Sequence, residues 1–243
     1  MEKNKITIAA VIVLVLLVGA GTGYYFWKKP SEIQNNIATS QTDASGAEVA
    51  PKAVSLDAAD LKPEENAPEP VADDIYIGSA DAPVTIIEYF SLSCPHCAQF
   101  HAGVLPQLKK DYIDTGKVRF IYRDFPLNKP ALAAAILARC QSPLQYSAII
   151  DYLFQTADQW LVQDPIPPLA QIAKTAGMDD QSFQACMEDS ALREKVVGSR
   201  ADASTKYNIN STPTFYINKI KVSGTQAYEK YQAIIEALLK NQN

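Results

Sequence analysis

The sequence predicts an α/β fold in which a block of helices is inserted into a small mixed sheet. Two β-branched and aromatic runs, Val84–Phe90 and Val118–Asp124, flank one helical stretch and make a β-α-β unit. Residues 125–213 contain no convincing strand, and a short β-β-α unit closes the chain. Strands joined by a helix pair in parallel with a right-handed crossover, whereas a hairpin adds antiparallel strands. The two units together make a single sheet with both kinds of pairing.

The 243 residues have room for one large domain or two small ones, and their composition is that of an ordinary globular protein. The net charge of −5 is unevenly placed. Residues 1–29 set Glu2 against Lys3, Lys5, Lys28 and Lys29, and residues 30–74 set ten acidic side chains against Lys52 and Lys62. From residue 75 onward the two signs balance, with sixteen of each. The chain has no basic stripe, so its charge gives no reason to expect a nucleic-acid partner.

Ile6–Trp27 is uncharged and mostly apolar, with lysines at both ends. It is long enough to cross a bilayer, and Tyr24-Tyr25-Phe26-Trp27 has the character of an interfacial anchor. The alternative is a cleaved signal peptide with Ile6–Val18 as its core and Val18-Gly19-Ala20 as the cleavage site. Residues 1–29 are therefore read as a membrane anchor or a signal segment. Either one exports the rest of the chain to the periplasmic or extracytoplasmic face, and the anchor would hold it on the inner membrane through residues 6–27. Residues 30–74, rich in Pro, Ala, Glu, Asp and Ser, read as a flexible acidic linker reaching roughly 35–40 Å as a coil.

The folded domain is expected over residues 75–243. Val84–Phe90 reads as a buried strand, and Ser93 as the N-cap of a helix from about Pro95 to Thr115. That helix is expected to kink at Pro106 and stop at Gly116. Val118–Asp124 is the second strand, and Arg123 and Asp124 could either pair at its end or form a solvated strand terminus. A helical insertion comes next, at about 128–190, with helices expected at 130–141, 144–157, 168–177 and 181–189, and a further helix at 191–207. Leu132, Ile136, Leu137, Ile149, Ile150, Leu153 and Phe154 fall at core-facing spacing. Thr214–Ile217 and Ile220–Val222 form a hairpin turning at Asn218-Lys219, and a helix from Gln226 to Lys240 closes the domain.

Behind the first strand stands Cys94-Pro95-His96-Cys97. A Cys-x-x-Cys that opens a helix puts one sulfur at the helix N-terminus, where unpaired N–H groups and the helix dipole favour a thiolate. Pro95 fits the first turn, and His96 is placed to add charge or a hydrogen bond to the Cys94 sulfur. The same pair can also be half of a zinc site, for which Cys140, Cys186, His96 and His101 are the remaining candidates.

Taken together, Cys94-Pro95-His96-Cys97 with Glu88 six residues upstream, Arg123-Asp124-Phe125-Pro126-Leu127, and Ser211-Thr212-Pro213-Thr214-Phe215 resemble the DsbA-like branch of the thioredoxin superfamily. The resemblance covers about residues 74–240. It implies a thioredoxin fold with an inserted helical subdomain and the activity of an exported thiol:disulfide oxidoreductase. It implies that Pro213 is cis against the active-site sulfurs and that the Thr212 backbone pairs with an incoming peptide. It also implies that Glu88 is a buried carboxylate serving the inner thiol Cys97, where the residues alone would allow a water-facing edge glutamate. His101, four residues after Cys97, is left out of the catalytic set. Cys140 and Cys186 match a subset of the family with a second, structural disulfide, which suits an exported chain with an even cysteine count.

The implied chemistry is exchange through Cys94 as nucleophile and Cys97 as resolving thiol, with no cofactor and no metal. Pro-His between the cysteines is the dipeptide of the oxidising member, so oxidation of cysteine-containing exported proteins is expected, with a membrane quinone-linked thiol oxidase as reoxidant. Thr212 departs from that member, which has valine, and matches the isomerases; a hydroxyl there is expected to make the site less oxidising. The alternatives are a disulfide isomerase or reductase, a redox-inactive tethered binding module on the same scaffold, and a metal-delivery protein.

Overall fold

The computed structural model describes Leu56 and residues 58–241. The expected anchor or signal segment and the linker as far as residue 55 lie outside these residues. Among the described residues no helix is long and apolar enough to cross a membrane.

The sheet is built outward from its middle strand. In chain order the strands are β1 (Ile75–Ile77), β2 (Val84–Phe90), β3 (Val118–Asp124), β4 (Thr214–Ile217) and β5 (Ile220–Ser223). Their spatial order is β1-β3-β2-β4-β5. β2 pairs in parallel with β3 and antiparallel with β4, while β1 and β5 are antiparallel edges. A strand with a neighbour on each side and cover on both faces must be apolar along its whole length, which is why VTIIEYF hardly alternates. Strand β1 leaves no mark in the sequence, because three residues are too few to show a period.

Successive β2 side chains still go to opposite faces. Ile86 and Phe90 join the larger core, whereas Ile87 and Tyr89 join a smaller one with Ile121, Phe125, Ala203, Ile209 and Tyr216. Glu88 has the parity of Ile86 and Phe90 and is fully buried, so it is not a water-facing edge residue.

The helix after β2, α1, begins as Pro95–Gln99, widens into a π-helical turn over Phe100–Val104, and continues as Leu105–Leu108 and Lys109–Ile113. Leu105 N–H bonds Phe100 O, one residue further back than in an α-helix. Pro106, which has no N–H, follows directly on this widened turn. Gly116, at φ +75°, turns the chain towards β3. Gly78 leads out of β1 at φ +93°, where a Cβ would stand 2.4 Å from the Val118 carbonyl oxygen.

The inserted helices are α2 (Lys129–Arg139), α3 (Pro143–Gln155), α4 (Ala157–Trp160), α5 (Ile166–Thr175) and α6 (Asp180–Glu188). Next, α7 (Ser190–Lys206) returns to the sheet, burying Ala203 on its second face, and α8 (Tyr228–Lys240) closes the domain. Cys140 at the end of α2 and Cys186 in α6 are joined by a disulfide with Cα atoms 6.0 Å apart. The crosslink closes a sequence separation of 46 residues. Replacing both cysteines with alanine should lower stability by about 2–4 kcal/mol in equilibrium urea unfolding.

Two expectations need correction. The linker does not run free to residue 74: Pro63 bridges to Ile220 on β5, Glu64 N–H donates to Lys219 O at 2.8 Å, and Asp74 pairs with Arg123 at 2.8 Å. Arg123 and Asp124 do not pair with each other, because strand alternation sends them to opposite faces. Arg123 binds Asp74 and the Tyr89 hydroxyl, while Asp124 accepts from Arg139 of α2.

Candidate active site

Pro95 decides how the helix begins. A proline belongs in the first helical position and forces the residue before it into an extended conformation. Cys94 accordingly lies at φ −90°, ψ 119° and is itself the N-cap, so the cap is not Ser93. The Ser93 hydroxyl instead meets the Ser91 hydroxyl at 3.1 Å. Cys94 O accepts from Ala98 N–H at 3.1 Å, and the Cys94 sulfur faces the free N–H groups of the first turn.

Both cysteines of the motif are free thiols, and their surroundings drive them apart. The Cys97 thiol donates to Cys94 Sγ, and Thr212 with the N–H groups of Cys97 and His96 adds further stabilisation. Against the opposing effect of burial, these bring Cys94 down to about 5. Cys97 is fully buried; desolvation, its hydrogen bond to Cys94 and the Glu88 charge push it well above the ordinary thiol range. Cys94 is only 6% exposed, so attack on it requires a narrow approach to the sulfur edge.

Opposite Cys94 lies the loop that enters β4. The Thr212–Pro213 bond is cis, and Thr212 O accepts from Cys94 Sγ at 3.3 Å. The buried Thr212 hydroxyl has no hydrogen-bond partner among the described residues. From the other side, Thr225 Oγ1 donates to His96 O at 2.7 Å.

The His96 side chain departs from expectation. Its ring is exposed and meets Gln99 Oε1 at 3.2 Å, so the contribution of His96 to the sulfur comes from its backbone N–H.

Beneath the sulfurs is an acid–base pair of which only Glu88 is marked by the sequence motifs. Glu88 Oε2 lies 2.9 Å from His101 Nε2, and both residues are buried. Desolvation raises the Glu88 carboxyl above its usual range, although His101 opposes this. Burial pushes the His101 imidazole down, but the Glu88 charge and the Asp151 hydrogen bond outweigh it and hold the ring up at about 9. His101, left out of the catalytic set on sequence, is thus buried against Glu88. The signal for it is its place in the stripe Cys97, Phe100, His101, Val104, Leu105 and Leu108, all buried on one face of α1. A histidine inside such a stripe needs a buried partner, and Glu88 in an apolar strand is the available one.

Of the four further candidates for a zinc site, Cys140 and Cys186 are bonded to each other, the His101 ring meets Glu88 and the His96 ring meets Gln99. Among the described residues there is no cluster of three side chains suited to a metal ion.

The thioredoxin family's sequence profile matches residues 71–237. A Rickettsia bellii protein, provisionally named protein-disulfide oxidoreductase, is 28% identical over 172 residues, which is 70% of this chain and 66% of that one. The chain spans 61% of the corresponding Rickettsia felis protein. "Disulfide bond formation protein D" of Bacillus subtilis is 26% identical over 172 residues, covering 68% of this chain and 76% of that one. The crystal structure of Wolbachia pipientis α-DsbA1 superposes with a TM-score of 0.67 at 32% identity, covering 71% of this chain and 94% of that one.

Proposed function

The chain belongs to the thioredoxin family, in its DsbA-like branch, and from that premise we propose that it is a thiol:disulfide oxidoreductase that oxidises the thiols of exported proteins. The observation that carries this reading is the asymmetry of the two sulfurs. One is ionised near neutral pH and the other is buried and protonated. A thiolate with a depressed pKa is a good leaving group, and stabilising it stabilises the reduced enzyme, which makes the disulfide a better oxidant.

In the reaction, a substrate thiolate attacks Sγ of Cys94 in the Cys94–Cys97 disulfide. The Cys94–Cys97 bond breaks, the mixed disulfide forms on Cys94, and Cys97 departs with the electron pair and takes up a proton. A second substrate thiolate then attacks the substrate sulfur, releasing Cys94 as a thiolate. The substrate leaves oxidised and the enzyme keeps two electrons and one proton. Thr212 O, beside the cis proline, is placed to accept from the substrate backbone, and Glu88 is the acid–base group for Cys97. The second disulfide suits work outside the cytoplasm, where oxidation persists. A tether at residues 6–27 would keep the domain near a membrane thiol oxidase that draws electrons to quinone. Thr212, the residue of the isomerases at this place, favours disulfide isomerisation as the second reading.

The test is the reduction potential as a function of pH, with RNase refolding alongside. A Cys94 near 5 falls between the ~3.5 of DsbA and the ~7 of thioredoxin, so the potential should lie between their values of about −120 and −270 mV. Between pH 5 and the ordinary thiol range the reduced pair carries one proton, so the potential should fall by about 30 mV per pH unit, and by about 60 mV below pH 5. The reduced protein gains stability as pH rises through the same window, because the depressed thiol contributes above its unfolded pKa and loses that contribution as pH falls through about 5. A potential at or below that of thioredoxin, with no gain in RNase refolding, overturns the oxidase reading.

A further inference from the structure

Exchange at this site leaves one proton to be moved. Cys97 must gain a proton whenever it leaves as a thiolate and lose it whenever the disulfide re-forms, yet it is fully buried. The fold supplies a line of groups leading away from it. Glu88 Oε1 is buried without a hydrogen-bond partner among the described atoms, and the Glu88 charge acts on the Cys97 thiol. Glu88 Oε2 stands 2.9 Å from His101 Nε2, and His101 Nδ1 stands 3.5 Å from Asp151 Oδ1 on α3, the long limit of a hydrogen bond. The Asp151 side chain is 43% exposed. It opens on a cavity of about 380 Å³ lined also by His101, Ala98, Ala102, Pro106 and Phe154; neither Cys94 nor Thr212 takes part in that lining.

An unpaired buried carboxylate oxygen is destabilising, and a structural Glu–His pair would have no use for it. We propose that Glu88, His101 and Asp151 form a proton relay joining the Cys97 thiol to solvent through this side cavity, apart from the opening where substrate meets Cys94. The inference rests on the exchange reading and specifies its proton step. As the Cys94–Cys97 bond breaks, Glu88 takes the Nε2 proton of the protonated His101 and passes a proton on to the Cys97 sulfur. The neutral imidazole left behind is reprotonated from solvent by way of Asp151. One thiolate is neutralised, one proton enters, and the disulfide is the only oxidant. Reoxidation runs the same steps in reverse and leaves His101 protonated again.

The titratable groups facing His101 are Glu88 from β2, Asp151 from α3, and the Tyr122 phenol from β3; the remaining neighbours are the rings of Phe90, Phe100 and Phe154. Tyr122 is held to the Ser147 hydroxyl at 3.2 Å and raised by burial, as is Tyr231 of α8 nearby, so neither phenol ionises in the working range.

Asp151 is half exposed, so Asp151→Asn should leave folding intact. The rate of reduction of the oxidised full-length protein by dithiothreitol, from pH 5 to 9 with quenched alkylation, reads the step. At pH 7 Asp151→Asn should be slower by about tenfold or more, with a larger solvent deuterium isotope effect. Asp151→Glu and rising imidazole buffer should each restore the rate, while the Cys94 titration stays unchanged. A wild-type rate in Asp151→Asn, or a slowing that neither Asp151→Glu nor imidazole restores, overturns the relay alone. A wild-type protein that exchanges no disulfides overturns the function reading and the relay with it.

Discussion

Cys94→Ser reduces disulfide exchange to the uncatalysed rate, a loss of at least about 10³-fold in insulin reduction or in the oxidation of dithiol substrates. A serine hydroxyl at the same helix terminus cannot ionise near neutral pH and forms no disulfide. The companion variant Cys97→Ser keeps the Cys94 thiolate but has no resolving sulfur. Exposed to a substrate disulfide it should accumulate a covalent adduct on Cys94, visible by mass spectrometry and reversed by excess thiol. The donors that lower Cys94 do not all depend on Cys97: Thr212 and the first-turn N–H groups remain. Its thiolate should therefore titrate higher than in the native protein but still below a free cysteine. Retention of more than a tenth of the activity in Cys94→Ser would mean that another group does the chemistry.

Arg139→Met destabilises the domain by about 3–5 kcal/mol, because it strands a carboxylate in the core. Arg139 Nε donates to Asp124 Oδ2, and the two side chains are only 7% and 2% exposed. With the guanidinium gone, Asp124 keeps, among the described side chains, the Tyr146 hydroxyl at 3.5 Å. Replacing both partners, Arg139→Met with Asp124→Leu, should recover most of the loss, since an apolar pair of similar volume needs no desolvation compensation. Urea unfolding of the single and double variants decides it: equal destabilisation in both would show that the pair stabilises the domain on its own account. The ion pair joins the end of β3 to the first inserted helix, so its loss should also loosen the insertion on the sheet.

Much of the site is legible in one dimension, and the reasons are local. Pro95 fixes where the helix begins and hence which cysteine sits at its terminus, and the apolar run before it fixes the strand that carries Glu88. The hairpin is legible because Asn218, at φ +51°, tolerates the left-handed conformation a tight turn requires. Pairing is what one dimension does not show. Arg123 and Asp124 are neighbours in sequence, yet alternation along the strand parts them and each finds a partner on another element. His96 sits between the cysteines, yet on the first turn its ring points out to Gln99 and leaves the sulfur to the backbone. The end of the linker looks like coil because its contacts with β3 and β5 carry no period of their own.

Residue order alone sets the succession of elements and the placement of the dithiol at a helix start. Those come from backbone periods of two and 3.6 residues and from the restrictions of proline, all acting within a few residues. Folding in three dimensions was needed to bring Thr212 to a sulfur 118 residues away, and Asp151 to a histidine 50 residues away. A period says which way a side chain faces. Which group it meets there depends on how the helices stack on the sheet, and that is settled by packing over the whole core.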